Sequence, residues 1–146
     1  MEIHWCWRCQ MDLPMLERHE WQVIVNAADA RSNCMDVKQS VFNFWSKTVK
    51  PTPQDGRDAA MRVLQDEATR LGLSTPLLPS ENTAPIAQFH WHLIAGYHMF
   101  TGVLEESPDP IWHHVIAFHG PPCKECGKLL RTKRASYCVV CGTDVS

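Results

Sequence analysis

The 146-residue sequence lacks the long apolar runs that identify membrane proteins. No stretch approaches the roughly 18 apolar residues of a transmembrane helix, so we expect no contact with a membrane. The first residues, Met1 to Cys6, also lack the basic and apolar regions of a signal peptide, which predicts a cytoplasmic protein. Seven cysteines fit a reducing compartment if they stay reduced to bind metal.

Familiar catalytic signatures are missing as well. The sequence has no His-Glu-x-x-His pair, no glycine-rich phosphate loop and no nucleophile elbow. The stretch from Pro122 to Cys126 matches half of a zinc deaminase motif, but no His-x-Glu precedes it. We therefore predict that the chain is not an enzyme.

Two Cys-x-x-Cys-Gly motifs lie near the C-terminus and end in Gly127 and Gly142. Eleven residues separate the second cysteine of the earlier motif from the first cysteine of the later motif. Zinc prefers four ligands in a tetrahedron, and each motif can present two thiolates to one ion. The glycine after each second cysteine permits a backbone conformation that a Cβ would hinder. These features predict a closed, structural zinc ribbon whose ligands are Cys123, Cys126, Cys138 and Cys141.

A third Cys-x-x-Cys motif, residues 6–9, has no partner motif nearby. It can supply half of a metal site, and the candidates for the other half are His113, His114 and His119. Two Cys and two His would close such a site, whereas two Cys and one His would leave a position for water. The alternative is an N-terminal turn whose thiols are buried in the core. The cofactor prediction is thus one zinc ion in the ribbon, with Cys6, Cys9, His113 and His114 as a candidate second site.

Hydrophobic periodicity predicts a mainly α fold, a compact domain of about five helices with the ribbon docked on it. The predicted domains are a helical domain, residues 1–119, and the zinc ribbon, residues 120–146. Pro14 is interpreted as a first-turn proline, and Ser32 or Asn33 as the N-cap of a second helix. The predicted helices cover residues 14–31, 32 or 33–47, 55 or 56–71 and 86–101, and a short fifth helix begins at 109–110.

The two ends of the chain together resemble a group of small bacterial zinc-ribbon proteins. The resemblance is carried by residues 6–16, Cys-Trp-Arg-Cys-Gln-Met-Asp-Leu-Pro-Met-Leu, and by Trp-His-His and Gly-Pro-Pro-Cys in residues 112–123. It extends through both Cys-x-x-Cys-Gly motifs to residue 142. The family's Lys-Pro-Leu-Arg-Thr is Lys-Leu-Leu-Arg-Thr at 128–132, a departure that should not affect ligation. Such proteins are similar to candidate immunity proteins of secreted antibacterial toxins.

This resemblance implies an immunity protein that neutralises a cognate toxin, such as a nuclease, by stoichiometric binding and occlusion. An acidic surface can mimic phosphate, and aromatic anchors carry much of the energy of an interface. We therefore predict partner binding through Glu105, Glu106, Asp109 and Trp112.

Two other functions stay open. Residues 1–119 carry nine Lys or Arg against fourteen acidic residues, whereas residues 120–146 carry five against two. The basic segment favours a nucleic-acid-binding or regulatory ribbon that uses Lys128, Arg131, Lys133 and Arg134. However, four thiolates around one divalent ion leave a charge of −2, which nearby basic residues would offset. The third interpretation is a metal-dependent enzyme built on the histidines.

Overall fold

The computed structural model describes residues 2–45, 53–77 and 90–145. This part of the chain contains three α-helices and one two-stranded antiparallel sheet, so the prediction of about five helices is wrong. None of the helices in it is long and apolar enough to cross a membrane. The elements are β1 (Glu2–Cys6), β2 (Met11–Met15), α1 (Arg18–Trp45), α2 (Pro53–Leu71), α3 (Trp91–Thr101) and two 3₁₀ helices, Pro110–His113 and Ile116–Phe118.

The N-terminus forms a β-hairpin in which Glu2 lies opposite Met15. Pro14, predicted to open a helix, lies in β2, where its missing N–H is tolerated because a two-stranded sheet has only edge strands. Its carbonyl oxygen accepts a hydrogen bond from the Tyr97 hydroxyl at 2.7 Å. The first helix begins only at Arg18.

The next helix was predicted to begin at Ser32 or Asn33, but α1 continues through both residues to Trp45. No Gly or Pro interrupts residues 18–45, and α1 packs extensively against α2. Tertiary packing therefore overrides the capping preference of Ser and Asn. The predicted end of this helix, at residue 47, lies outside the described residues.

The other predicted helices fare differently. Helix α2 ends at Leu71 as predicted and begins slightly earlier than predicted, at Pro53. Helix α3 ends at Thr101 as predicted, and residues 86–89 of its predicted start lie outside the described residues. The predicted fifth helix is replaced by the two 3₁₀ helices.

The predicted fifth helix does not form because its segment makes a strand-like contact with Leu16. The Leu16 N–H donates to the His114 carbonyl at 2.7 Å. The Leu16 carbonyl in turn accepts from the N–H of Ile116 at 3.0 Å. The intervening Val115 is extended, with φ −115° and ψ 111°. The backbone groups that would continue a helix are thus used to hold this segment against the end of the hairpin.

Two hydrophobic clusters position the ends of the chain. The main core lies between the helices and the 3₁₀ segment, and its fully buried members include Leu16, Ile24, Leu64, Trp91, Tyr97, Ile111 and Val115. A smaller cluster packs Leu129 of the C-terminal cysteine segment against Cys6 and Met15 of the hairpin. The hairpin therefore contacts both the helical core and the cysteine segment, while the domain boundary at residue 120 stays a prediction.

Candidate metal centres

The four C-terminal cysteines converge as a cluster that can hold a metal ion. All four Sγ atoms lie within 4.8 Å of one another. The Cys123–Cys141 and Cys126–Cys138 pairs each have an Sγ–Sγ distance of 3.7 Å. A tetrahedron with metal–sulfur bonds of about 2.3 Å has edges of roughly 3.8 Å. The cysteines thus have the spacing of a closed tetrahedral site.

The two C-terminal Cys-x-x-Cys-Gly motifs, which we call knuckles, use the same backbone turn. The N–H of Gly127 donates to the Cys123 carbonyl, and the N–H of Gly142 donates to the Cys138 carbonyl, both at 2.8 Å. The two glycines have φ values of +72° and +75°, a region in which a Cβ is strained. The sequence predicts a backbone conformation at these glycines that a Cβ would hinder, and this prediction is confirmed.

Hydrogen bonds favour the thiolate form in the second knuckle. Interaction with Thr143, whose Oγ1 lies 3.3 Å from Cys141 Sγ, lowers the pKa of Cys141 to about 6. Backbone hydrogen bonds from Cys141 and Val140 lower the pKa of Cys138. Because the thiolate is the metal-binding form of cysteine, the lowered pKa values of Cys138 and Cys141 favour binding of a cation by this knuckle.

A second cluster, at the other end of the chain, comprises Cys6, Cys9 and His114. Cys6 is the last residue of β1 and is fully buried, whereas Cys9, in the hairpin turn, is exposed. His114 lies between the two 3₁₀ helices, and its Nε2 atom is 3.3 Å from Cys9 Sγ. The structure therefore brings together three of the four residues named as a candidate second site.

His113, the fourth, has different partners. Its Nε2 atom lies 2.8 Å from a guanidinium nitrogen of Arg8, and its ring meets Trp7 edge to face at 5.6 Å between centroids. Adjacent residues point in different directions here, so only His114 faces the thiols. The cluster therefore has one histidine rather than two.

Burial sets the protonation of the second cluster. It lowers the pKa of His114 to about 4, so the imidazole is neutral near pH 7, as a metal ligand must be. Burial and the neighbouring Cys6 raise the pKa of Cys9 to about 11. The Cys9 thiol thus retains its proton near pH 7 unless a cation replaces it.

Glu105, predicted to bind a partner, lies beside this cluster. Its Oε1 atom is 3.8 Å from Nδ1 of His114, and its side chain is only 21% exposed. Burial raises the pKa of the Glu105 carboxyl group. The sequence contains no signal for this contact, because Glu105 belongs to an acidic turn that looks fully solvated.

The other predicted partner-binding residues lie at the surface. Glu106 and Asp109 are exposed, and Trp112 is 46% exposed. Trp112 stacks on Phe118 with 6.3 Å between ring centroids, and Trp21 meets both rings edge to face. Trp21 and Phe118 were not predicted from the sequence, whose only hint was its high tryptophan content.

The histidines of the α3 segment form no comparable centre. His90, His92 and His98 belong to none of the groups in the described residues that could hold a metal. His92 is buried, and burial lowers its pKa to about 4. Among the described residues, the two cysteine clusters are the only groups of side chains placed to hold a metal ion.

No protein-family model, curated protein or solved structure matches this chain. The resemblance to candidate immunity proteins therefore stays a prediction, carried by the residues at the two ends of the chain.

Proposed function

We propose that this chain is a zinc-dependent protein-binding module, an immunity protein that occludes a cognate secreted toxin one to one without turnover. Zinc is the metal proposed for the four-cysteine cluster, because four thiolates at tetrahedral spacing suit this ion. Four ligands close the site, so its role is to hold residues 120–145 in shape. The activity then resides in the surface that the fold presents.

The observation that carries the proposal is an exposed aromatic patch, which we define as Trp21, Trp112 and Phe118. Trp112 and Phe118 remain 46% and 44% exposed although they stack on each other. Leaving two large aromatic side chains in water is unfavourable unless a partner covers them. Tryptophan is enriched among the residues that dominate binding energy at interfaces.

The surroundings of the aromatic patch support binding of a protein. A cleft of about 210 Å³ lies between the patch and Trp7, and Arg131 contributes to its wall. The Arg131 guanidinium lies 4.4 Å from the centroid of the Trp7 ring. Tryptophan beside arginine, with exposed acids such as Asp109 close in sequence, is typical of a desolvated interface centre with a charged rim.

The nucleic-acid alternative is less well supported. Two of its four basic residues face tryptophan rings, since Lys128 Nζ lies 3.5 Å from the Trp5 ring centroid and Arg131 covers Trp7. Within the described part of the chain, Lys133 and Arg134 are the two exposed cations of this set that lie over no aromatic ring. Residues 1–119 carry an excess of acidic residues, which repels phosphate.

The test is co-expression with any secreted toxin that a gene neighbouring this one is found to encode. Wild-type protein should restore survival and form a one-to-one complex on a sizing column. Trp112→Ala with Phe118→Ala should weaken binding by about 30-fold or more, mainly through faster dissociation, because aromatic anchors contribute 2 kcal/mol or more. Tyr137→Ala is the matched control, since Tyr137 is an aromatic residue that is 56% exposed outside the patch.

A second variant tests the rim. Charge reversal of Glu106 should slow association with little effect on dissociation, because rim charges act mainly on the encounter rate. If the chain binds no protein encoded nearby and instead shifts DNA at physiological salt, the nucleic-acid function replaces the one proposed.

A further inference from the structure

The turn at residues 6–9 has the backbone geometry of the two C-terminal knuckles. The Gln10 N–H donates to the Cys6 carbonyl at 2.8 Å, the same bond and distance that Gly127 and Gly142 make. Gln10 has a φ of +56°, and among the described residues it alone combines a side chain with a positive φ. The Cys9 N–H also points at Cys6 Sγ, 3.5 Å away.

A glutamine in this conformation costs roughly 1–2 kcal/mol relative to ordinary backbone, so the surrounding structure must impose it. The shape it produces is the one that presents two thiolates to one ion in the C-terminal cluster. The motif at residues 6–9 therefore has the backbone of the C-terminal knuckles, with glutamine in the glycine position.

The third ligand reaches this knuckle from far along the chain. The backbone pairing of Leu16 with residues 114–116 holds His114 in place. The distance of 3.3 Å between His114 Nε2 and Cys9 Sγ is close to the roughly 3.6 Å edge expected when sulfur and nitrogen ligate one tetrahedral ion. The group contains no fourth His, Cys, Asp or Glu within the described residues.

The other nitrogen of His114 identifies a supporting residue. His114 is fully buried, and its Nδ1 atom has no hydrogen-bond partner among the described residues. The Glu105 carboxylate lies 3.8 Å away, within ion-pair distance. Histidines that bind metal commonly donate their second N–H to a carboxylate, which fixes the ring and strengthens it as a ligand. Binding through Nε2 would place the proton on Nδ1, facing Glu105.

We propose that Cys6, Cys9 and His114 bind a second transition-metal ion whose fourth position is open to a donor from outside the chain, and that Glu105 holds His114 in position for it. In the free protein this donor is water, and a nitrogen, sulfur or anionic donor replaces it. Exposure of Cys9 gives such a donor a route to the ion. The site does not depend on the proposed binding of a toxin.

The first experiment counts metals on the full chain purified under reducing conditions without chelator. The wild type should contain two ions per chain. Cys9→Ser and His114→Gln should each contain one, whereas His113→Gln should retain two. Cys9 is chosen because it is exposed, which keeps the fold intact, whereas Cys6 is buried. One ion per chain in the wild type, unaffected by Cys9→Ser, would overturn the site in favour of packed thiols.

The second experiment tests the open position with cobalt as the spectroscopic metal and imidazole as the donor. Imidazole should change the visible spectrum of the wild type but not that of Cys9→Ser, which retains only the closed cluster. Both ions should stay bound after gel filtration. If two ions are present and imidazole leaves the wild-type spectrum unchanged, a fourth ligand from the chain fills the position and the proposal fails.

Glu105→Gln tests the supporting residue. It should weaken metal binding at this site by roughly 10–100-fold, as loss of such carboxylates does, and leave the four-cysteine cluster unaffected. Glu106→Gln, at the exposed neighbouring position, is the control and should change neither affinity. Equal affinities in Glu105→Gln and the wild type would remove Glu105 from the site.

Discussion

The two cysteine clusters use the same turn but collect their ligands over very different lengths of chain. The C-terminal cluster takes all four ligands from residues 123–141, whereas His114 lies 105 residues from Cys9. The C-terminal cluster offers four potential ligands, enough to close a tetrahedral site, and the N-terminal cluster offers three. A site assembled from adjacent turns organises its own segment, whereas one assembled across the chain depends on the whole fold.

The largest effect is expected from removing one ligand of the closed cluster. Metal binding by such sites is worth roughly 10–16 kcal/mol in zinc-finger peptides. Cys126→Ser should therefore lose one metal and unfold residues 120–145 locally, while the helices persist. Metal analysis and hydrogen exchange at the Leu130 amide, which is bonded to the Pro121 carbonyl, measure this. Cys9→Ser should keep that amide protected. If Cys126→Ser also empties the other cluster, the two are one cooperative unit.

A smaller loss of stability is expected from a substitution at Gly120, where the C-terminal cysteine segment joins the helical part of the chain. A Cβ on Gly120 would lie 2.9 Å from Leu130 Cβ and would also clash with the Thr132 carbonyl oxygen. Gly120→Ala should therefore cost up to roughly 3 kcal/mol, because backbone atoms cannot move aside cheaply. Urea unfolding of the metal-loaded protein measures the loss. Pro121→Ala, at the exposed next position, should change stability by less than about 1 kcal/mol, and equal effects of the two variants would contradict the packing described.

The helical body should lose stability in acid separately from either cluster. Burial lowers the pKa of His92 from 6.5 to about 4, so the unfolded chain binds a proton more readily between these values. Stability should therefore fall as the pH drops below 6.5, by about 2 kcal/mol at pH 5 from this residue. Urea unfolding of His92→Leu at pH 7 and pH 5 should show a pH dependence that is weaker by that amount. An unchanged dependence would mean that His92 is not held neutral by the fold.

The smallest effect comes from exchanging the residues that close the knuckles. Gly127→Gln should cost roughly 1 kcal/mol, since glutamine must adopt the φ of +72° that glycine adopts freely. The reverse change, Gln10→Gly, should stabilise the N-terminal turn at residues 6–10 by up to about 1 kcal/mol, because Gln10 has a φ of +56°. Metal affinity at each cluster, measured by chelator competition, reports both changes. A loss in Gln10→Gly would show that the glutamine side chain has a role of its own.

The same contrast explains what the sequence could predict. The four cysteines of the closed cluster, their glycines and the ends of α2 and α3 follow from spacing and periodicity, which act over a few residues. His113 and His114 could not be distinguished in this way. The choice between them depends on the pairing of Leu16 with residues 114–116, a contact across the fold.

The errors in the helix predictions have the same origin. Pro14 is as acceptable at an edge strand as in the first turn of a helix, and Tyr97 from α3 contacts it only in the folded chain. Ser32 and Asn33 have the local preference of caps, yet they lie in a helix that packs along α2. The real start signal was nearer to Arg18, because the Glu20 carboxylate accepts a hydrogen bond from the Glu17 N–H at 2.8 Å.

The separation of 105 residues between Cys9 and His114 has a consequence during synthesis. Ribosomes add roughly 5–20 residues per second, so Cys6 and Cys9 leave the ribosome about 5–20 seconds before the histidine that completes their cluster. During that interval the two thiols form a bare dithiol that oxidants can reach. The C-terminal cysteines are translated within a few seconds of one another. Nascent chains of this protein should therefore be most vulnerable to oxidation at their N-terminal pair.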